Sequence, residues 1–443
     1  MASFVPPPIT LFASPLHADG VQATHVILPG ETVFQETPFS FLQTIENRQV
    51  NAICGGCHCF LGPLEFQMNL LSRRISRQDQ HVIAQGNAIV LCCNQCGELY
   101  CSEACRVHHW QERGHKVLCT GLLDSSDPMV EFKMHALRTN EIFLLVADIY
   151  SRICGSIERC VSEKGMGLEE AVSASLPPFA GFVRQLWWDA AVAPPGTDPV
   201  VLRETLQQLI SESWRLLDAA LHLTERGLGS CLGPEYMACL VGMFEQNNVG
   251  VRRTSPLGKA CLGLSPGRPE NAKLADAASA IVTSIEEMAW EDCDEDCEDY
   301  EDAGDDGAGE GEAGDEEGTG GNTDEDDSFL MSDEVVTDPH LARLYELLNA
   351  NGLECIFPPL DGTAFYMLIC KINHSCEPNV LVRYDAAEPG VPLQARLTAL
   401  RHISTGEELV QSYIDQSLCY DDRRQALLDY GFECCCRKCQ AKA

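Results

Sequence analysis

The spacing of apolar residues divides the chain into strand-like ends and a helical middle. Short apolar stretches at 26–28 and 33–34, separated by the turn residues Pro29 and Gly30, predict strands near the N-terminus. From about residue 130 to 243, apolar residues recur at steps of three and four, which is typical of packed helices.

The second half of the chain alternates between the two patterns. Strand and turn character returns at 244–258, and further helices are predicted at 274–290 and 341–349. Strands are expected on either side of the stretch KINHSCEPN, residues 371–379. The whole pattern predicts an α+β fold.

The stretch KINHSCEPN has two interpretations. It follows an apolar run at 365–370, so it can be read as a strand that ends at Ile372 and a simple turn. The alternative is a functional site, because Asn, His, Ser and Cys stand side by side. The stretch alone does not distinguish a turn from a functional site, so the motifs elsewhere in the chain are needed.

Composition adds a long acidic segment to this picture. The chain has 443 residues, more than one hydrophobic core normally serves, so two or three packed units are expected. Its net charge of -35 is concentrated in residues 291–327, where twenty residues are Asp or Glu and none is Lys or Arg. This tract has too few apolar groups to fold alone and is predicted to be disordered. No basic stripe is present, which argues against direct nucleic-acid binding.

The N-terminus and the cysteine content bear on location. No signal peptide is expected at MASFVPPPITLFASPL, and no uncharged window of eighteen apolar residues predicts a membrane span. The chain is therefore expected in the cytoplasm, the nucleus or both. In such a reducing compartment the 24 cysteines should bind metal or lie buried as free thiols.

The cysteines of the N-terminal third are spaced like zinc ligands. Cys-x2-Cys pairs let one turn direct two thiolates at the same ion, and eight ligands suit two tetrahedral zinc sites. An interleaved pairing is predicted, with Cys54, Cys57, Cys101 and Cys105 on one zinc and Cys93, Cys96, His115 and Cys119 on the other.

A third zinc site is predicted at the C-terminus. Cys434, Cys436 and Cys439 supply three thiolates, one fewer than a tetrahedral site requires. Cys376 of the NHSC stretch is the candidate for the fourth, and a purely local site completed by Cys435 is the alternative.

These motifs resemble a known family. The segments CNQCGELYCSEAC and HKVLC resemble a MYND zinc finger, with Cys59, Cys92, His108 and His109 as substitute ligands where the spacing departs from the usual pattern. The stretches NHSC and GEELVQSYID, with the terminal cysteines, resemble a SET methyltransferase fold with its post-SET zinc. The chain thus resembles the SET and MYND domain protein-lysine methyltransferases, and is most similar to their divergent fifth branch.

The resemblance implies small SET-type β-sheets, an inserted MYND finger, a helical insert and a post-SET zinc cluster. The expected division is SET N-terminal strands at 10–53, MYND finger at 54–119, helical insert at 120–243, SET segment and helix at 244–290, acidic insert at 291–327, SET core at 328–415 and zinc-binding tail at 416–443.

The resemblance also implies methyl transfer from S-adenosylmethionine to a lysine of a protein. Tyr413 would be the catalytic tyrosine of the lysine channel, and Tyr430 would line that channel. The implied cofactor-binding residues are Gly20, Asn247, Asn373, His374 and Phe432. The family's usual Gly-x-Gly is Ala18-Asp19-Gly20 here, which keeps only the second glycine.

Two functional classes remain. The first is an enzyme acting on a basic protein such as a histone or a ribosomal protein, attracted by the acidic tract. The second is an inactive SET fold whose MYND finger binds short proline-containing peptides. A zinc hydrolase is excluded, because four protein ligands fill each predicted site and leave no position for water.

Overall fold

The computed structural model describes residues 7–14, 19–73, 90–91, 96–121, 123–176, 182, 185–194, 196–265, 267–295, 338–384, 390–428 and 430–442. Ala18, Cys92, Cys93 and residues 296–327 of the acidic tract lie outside these ranges.

The described strands are short. In chain order they are β1 Ile9–Ala13, β2 Asp19–Ala23, β3 Thr32–Glu36, β4 Ser40–Gln43, β5 Val90–Leu91, β6 Leu99–Tyr100, β7 Asn248–Arg253, β8 Leu360–Phe365, β9 Asn373–His374, β10 Val380–Tyr384, β11 Ala395–Ala399 and β12 Val410–Gln411.

The described helices lie mostly between β4 and β8. They are α1 Ile45–Val50, α2 Leu64–Arg73, α3 Glu103–Gln111, α4 His115–Leu118, α5 Pro128–Thr139, α6 Ile142–Lys164, α7 Leu168–Ser175, α8 Trp187–Ala190, α9 Pro199–Leu221, α10 Pro234–Asn247, α11 Pro256–Leu262, α12 Glu270–Glu295, α13 Pro339–Asn351, α14 Leu353–Ile356, α15 Tyr420–Leu428 and α16 Arg437–Gln440.

Strands from the two ends of the chain form common sheets. Strand β3 pairs with β11, which pairs with β10, and β8 lies between β4 and β7, all antiparallel. Strands β1 and β2 form a hairpin, and β9 and β12 pair in parallel. Buried Val21, Phe34, Val251 and Leu397 belong to one hydrophobic core that joins these sheets. Neither end of the chain could build this unit alone.

The helical insert packs on the edge of this unit. Helices α5 to α10 share a core that includes Phe143, Tyr150 and Phe244, together with Phe365 from the end of β8. The Phe365 ring lies 4.8 Å from the Phe182 ring and 5.5 Å from the Phe244 ring, centroid to centroid. The insert is therefore seated directly beside the segment that leads into NHSC.

A second helical core involves α12 and α13, which pack against each other and against α2 and α11. None of the described helices combines the length and the apolar character needed to cross a membrane.

Several predicted elements are confirmed and others are wrong. The helical periodicity corresponds to α5, α6, α9, α12 and α13, and residues 33–34 lie in β3. The strand predicted at residues 26–28 does not form, because Ile27 makes only an isolated β-bridge to Ile403. The strand that was predicted to end at Ile372 ends at Phe365 instead, and residues 369–371 form a 3₁₀ helix. Helix α10 covers 244–247, and α12 extends to Glu295, five residues into the predicted acidic tract.

Candidate functional site

The NHSC stretch forms a buried parallel strand pair. Asn373 and His374 of β9 pair with Val410 and Gln411 of β12, and the two β9 side chains are 8% and 2% exposed. Asn379, 1% exposed, holds this pair in place through its side chain. Its Oδ1 accepts from the Val410 N–H at 2.8 Å, and its Nδ2 donates to the Glu408 carbonyl at 2.8 Å. The interpretation of 371–379 as a simple turn is therefore wrong.

Gly20 lies against the Asn373 amide. The Asn373 Nδ2 donates to the Asp19 carbonyl at 3.0 Å and to Glu408 Oε1 at 2.8 Å. A Cβ atom on residue 20 would lie 2.7 Å from Glu408 Oε1 and 2.9 Å from Phe12 Cε1, so glycine lets these two side chains approach the backbone without shifting. The structure thus brings together two predicted cofactor residues from opposite ends of the chain.

His374 connects the tyrosine segment to the C-terminal cysteines. Its Nδ1 lies 3.0 Å from the Tyr413 N–H, which can only donate, so Nδ1 accepts and the proton sits on Nε2. That Nε2 lies 3.3 Å from Cys376 Sγ. A thiolate at Cys376 would therefore receive a hydrogen bond from the same ring that positions the Tyr413 backbone.

Four predicted site residues form one aromatic group. The Tyr413 ring centroid lies 5.3 Å from His374, 5.3 Å from Tyr430 and 6.3 Å from Phe432. The Tyr413 hydroxyl donates to the Ile372 carbonyl at 2.8 Å, and burial raises the pKa of this phenol, which keeps it neutral. Tyr430, 44% exposed, lies at the solvent side and donates to the Tyr413 carbonyl at 3.2 Å.

Asn247 lies on a different element from this group. It is buried at the last position of α10, and its Nδ2 donates to the Met243 carbonyl of the same helix at 2.7 Å. Nothing in the described contacts joins it to Asn373 or Tyr413, so its predicted cofactor role stays a prediction.

Sequence reasoning missed a carboxylate that shapes the approach to NHSC. Glu36, at the end of β3, accepts from the N–H groups of Met367, Leu368 and Ile369 at 2.7 to 3.1 Å. Because these three N–H groups bond to Glu36, they are not available for hydrogen bonds to a neighbouring strand. This explains why β8 ends at Phe365. Burial raises the pKa of Glu36, against the backbone hydrogen bonds, which lower it.

The C-terminal thiols converge beside the aromatic group. The Sγ atoms of Cys376, Cys434, Cys436 and Cys439 all lie within 4.8 Å of one another, and the Cys376 and Cys439 sulfurs are 3.5 Å apart. A tetrahedral zinc with Zn–S bonds of about 2.3 Å requires sulfur separations of about 3.8 Å, so this donor set fits the ion. Cys435 is exposed, and its Sγ points to the Glu433 carbonyl instead.

A buried arginine stands against these thiols. Arg423 of α15 is 1% exposed and donates to the Leu418 carbonyl at 2.6 Å. Burial lowers its pKa, but hydrogen bonds to Cys376 and Cys439 outweigh that effect and raise it. A site with four thiolates around a divalent cation carries two net negative charges, and the guanidinium offsets one of them.

The N-terminal thiols also converge. Cys54, Cys57, Cys101 and Cys105 lie with all ligand atoms within 4.8 Å, and the Cys101 sulfur is 3.6 Å from both Cys57 and Cys105. The substitute ligand Cys59 is close by, with its Sγ 3.3 Å from Cys57 Sγ. The four converging thiols are the first set in the predicted interleaved pairing.

A third group contains Cys96, His115 and Cys119, within the same 4.8 Å limit. Its predicted fourth member, Cys93, lies outside the described residues. Of the substitute ligands in this segment, His108 is exposed, and His109 Nδ1 lies 2.9 Å from the Tyr100 hydroxyl while its ring stacks on His115.

A model of the SET domain family matches residues 19–414, nearly the whole described chain. The histone-lysine N-methyltransferase ATXR2 of Arabidopsis thaliana is 29% identical over 365 residues, which are 79% of this chain and 62% of that protein.

Two further relatives match a shorter region. The N-lysine methyltransferase SMYD2-B of Xenopus laevis is 36% identical over 105 residues, 23% of each chain. The histone-lysine N-methyltransferase SET5 of Yarrowia lipolytica is 34% identical over 113 residues, 25% of this chain and 24% of that protein. The chain therefore spans less than two thirds of the length of these curated relatives.

Proposed function

The chain belongs to the SET domain family, and on that premise we propose that it transfers a methyl group from S-adenosylmethionine to the side-chain amine of a lysine in a protein substrate. The observation that carries this proposal is the assembly of Gly20, Asn373, His374 and Tyr413 around one short parallel strand pair. The names of the relatives, histone-lysine and N-lysine methyltransferases, support the same activity.

The residues present fit such a cofactor. Gly20 leaves no side chain between the β1–β2 hairpin and Asn373, and the half-buried Phe432 ring, 5.7 Å from the buried His374 ring, offers an aromatic surface for an adenine. When bound, S-adenosylmethionine supplies the methyl group as a sulfonium cation. Asn373 and His374 would bind it on β9, beside the tyrosine group.

The aromatic group would prepare the lysine. A free lysine with a pKa near 10.4 is neutral in about one molecule in a thousand at pH 7, equivalent to about 4 kcal/mol. Tyr413 and Tyr430 would line an apolar channel that excludes water, and desolvation lowers a lysine pKa in the needed direction. A channel of rigid rings would also hold the amine in line with the methyl group.

The three thiol-rich groups would hold structural zinc. We propose one ion in each group, with Cys93 completing the group of Cys96, His115 and Cys119, and a MYND-type finger over residues 54–119. The C-terminal ion would fix Tyr430 and Phe432, since both precede Cys434 by only a few residues.

The substrate would be a basic protein of the histone or ribosomal type. The supporting feature is the tract at 291–327, whose twenty carboxylates attract cations over long range. Deleting this tract should raise the substrate KM at low salt and change it little at high salt, where such attraction is screened. An unchanged KM at both salt concentrations would contradict the role. Free thiol ligands are consistent with the cytoplasm, the nucleus or both.

The central test is titration calorimetry of the zinc-loaded protein with S-adenosylmethionine, comparing wild type with Asn373→Ala. Asn349→Ala, an exposed position on α13, is the matched control. Micromolar binding that is lost only in Asn373→Ala, followed by methylation of a lysine peptide, supports the enzyme. No binding by a folded wild type would favour an inactive scaffold that binds proline-containing peptides at the finger.

A further inference from the structure

Arg253 places a buried positive charge beside the N-terminal thiols. It is the last residue of β7, and its side chain is 4% exposed. Its Nη2 donates to the His58 carbonyl at 2.9 Å, and its guanidinium carbon lies 5.0 Å from the centroid of the Phe60 ring. His58 stands between Cys57 and Cys59 in the chain, so an arginine of the SET fold contacts the turn that carries these two thiols.

The charge of Arg253 has no carboxylate partner among the residues that the structure describes. None of the described Asp or Glu side chains forms an ion pair with it, and its Nη1 is buried without a hydrogen-bond partner. A buried guanidinium is costly unless a negative charge lies near it. Burial lowers the Arg253 pKa, while negative charge at Cys59 and Cys57 raises it, so thiolates at this turn can provide the counter-charge.

A zinc ion held by four of the neighbouring thiols would provide that counter-charge. The first zinc group consists of Cys54, Cys57, Cys101 and Cys105, whose ligand atoms lie within 4.8 Å of one another. Cysteine binds a metal as a thiolate, and four thiolates around a divalent cation carry two net negative charges. Arg253 would offset one of these charges.

Two further contacts hold the same turn against strands of the SET fold. The Leu393 N–H, just before β11, donates to the Cys57 carbonyl at 2.8 Å, and the Phe41 ring of β4 lies 4.6 Å from the His58 ring, centroid to centroid. His58 has a φ of 60°, a left-handed conformation that residues other than glycine rarely adopt. The turn that carries Cys57 and Cys59 is therefore shaped in part by residues outside the cysteine-rich segment.

We propose that Arg253 is a positioning residue for zinc in the first zinc group, and that its charge holds the finger segment against β7. The inference rests on the zinc sites of the proposed function and goes beyond them, because it assigns a charge-balancing residue that belongs to the SET fold and not to the finger. Coupling between two sites is reciprocal, so zinc would stabilise the contact with β7 as much as Arg253 stabilises the zinc. The finger would then be a fixed part of the fold and not a module that moves independently.

The experiment is a competition for zinc between the zinc-loaded full chain and a chromogenic chelator. Arg253→Gln keeps an N–H donor for the His58 carbonyl but removes the charge, whereas Arg253→Lys keeps the charge. Arg252→Gln is the matched control, because Arg252 is the neighbouring residue of β7 and forms an ion pair with Glu354. We expect Arg253→Gln to bind one of the three ions about 10- to 100-fold more weakly, as is typical for residues that support metal ligands. Arg253→Lys should retain most of that affinity, and Arg252→Gln should retain all of it.

A second variant assigns the affected ion. Cys105→Ser removes one ligand of the first zinc group and should leave two ions bound. Adding Arg253→Gln to Cys105→Ser should then weaken neither of these two ions, because the site that Arg253 supports is already lost. If Arg253→Gln does not fold, Arg253→Lys still tests the charge: it should fold with three ions, and loss of one ion from it would overturn the inference.

Other outcomes also overturn the inference. Equal losses of affinity in Arg253→Lys and Arg253→Gln would mean that the shape of the guanidinium matters and not its charge. Weaker binding of all three ions would mean a general loss of stability, and unchanged binding in Arg253→Gln would mean that the charge has no role. A folded wild type without zinc in the first zinc group would contradict the zinc assignment itself. The proposed methyl transfer would stand or fall separately, by the binding of S-adenosylmethionine.

Discussion

The hydroxyl of Tyr413 has two roles that substitution can separate. It donates to the Ile372 carbonyl, directly before Asn373. Tyr413→Phe should cost about 1 kcal/mol of stability through this hydrogen bond. Because Tyr413 is also proposed to line the channel that holds the lysine amine in line with the methyl group, single-turnover methylation should fall by at least ~10-fold while the cofactor Kd changes little.

Tyr384→Phe is the control for the structural part. Its hydroxyl also donates to a backbone carbonyl, that of Gly250 at 2.9 Å, but it lies outside the aromatic group. A loss of methylation in Tyr384→Phe as large as in Tyr413→Phe would show that stability, and not the site, explains the effect.

The raised pKa of Glu36 predicts that the stability of the fold depends on pH. Its pKa in the folded protein is raised above the ordinary value of 4.5, so folding favours the protonated form. The stabilisation from this shift is complete below the unfolded pKa and is lost as the pH rises through the folded pKa. The melting-temperature advantage of wild type over Glu36→Gln should therefore be larger at pH 5.5 than at pH 7.5. An advantage that grows with pH would mean that the three backbone donors outweigh burial.

Single residues differ in how well the sequence predicts them. Cys376 and Tyr413 could be singled out because their motifs are local. Ser14, Glu36 and Arg423 could not, because their partners lie far away along the chain or depend on how α15 packs on the thiols. A carboxylate that caps a turn more than 300 residues later leaves no periodic signal near itself.

At the scale of elements, Asn379 decides whether the β9–β12 pair forms. Asn379→Asp keeps the shape but places a carboxylate oxygen against the Glu408 carbonyl, where Nδ2 now donates. The new carboxylate would also lie beside that of Glu407, whose Oε1 is 3.3 Å from the Asn379 Nδ2 in the wild type. We expect a loss of about 2–3 kcal/mol in urea denaturation, together with loss of cofactor binding.

The exposed Asn349→Asp on α13 controls for the added charge. If Asn379→Asp unfolds at the same urea concentration as this control, the β9–β12 pair does not depend on the Asn379 side chain.

Helices were predicted better than strands for a physical reason. Helix α6 has 23 residues and α9 also has 23, so the period of 3.6 repeats many times. Strands β9 and β12 have two residues each, too few for any alternation to appear. The apolar run at 365–370 is partly buried as a turn held by Glu36, and its hydrophobicity alone could not distinguish that turn from a strand.

At the scale of the whole molecule, zinc binding should determine whether the proposed cofactor and lysine site is folded. Structural zinc contributes on the order of 10 kcal/mol of apparent binding, comparable to the stability of a domain. Metal analysis should find three zinc ions in wild type, two in Cys436→Ser and three in the neighbouring Cys435→Ser. Cys436→Ser should also lose cofactor affinity, because Tyr430 and Phe432 lose their anchor. Equal zinc contents in the two variants would contradict the ligand assignment.

The pairing of chain ends has a consequence for synthesis in the cell. Ser40 of β4 pairs with Phe365 of β8, so the central sheet cannot form until more than 300 further residues have left the ribosome. At 5–20 residues per second, β4 would wait about 15 to 65 s for its partner. The cysteine-rich segment and the helical insert emerge during that interval and can fold from local contacts, whereas the apolar face of β3 and β4 stays uncovered. The nascent chain is therefore expected to depend on chaperones that shield β3 and β4, and a product truncated before β8 should aggregate through these same strands.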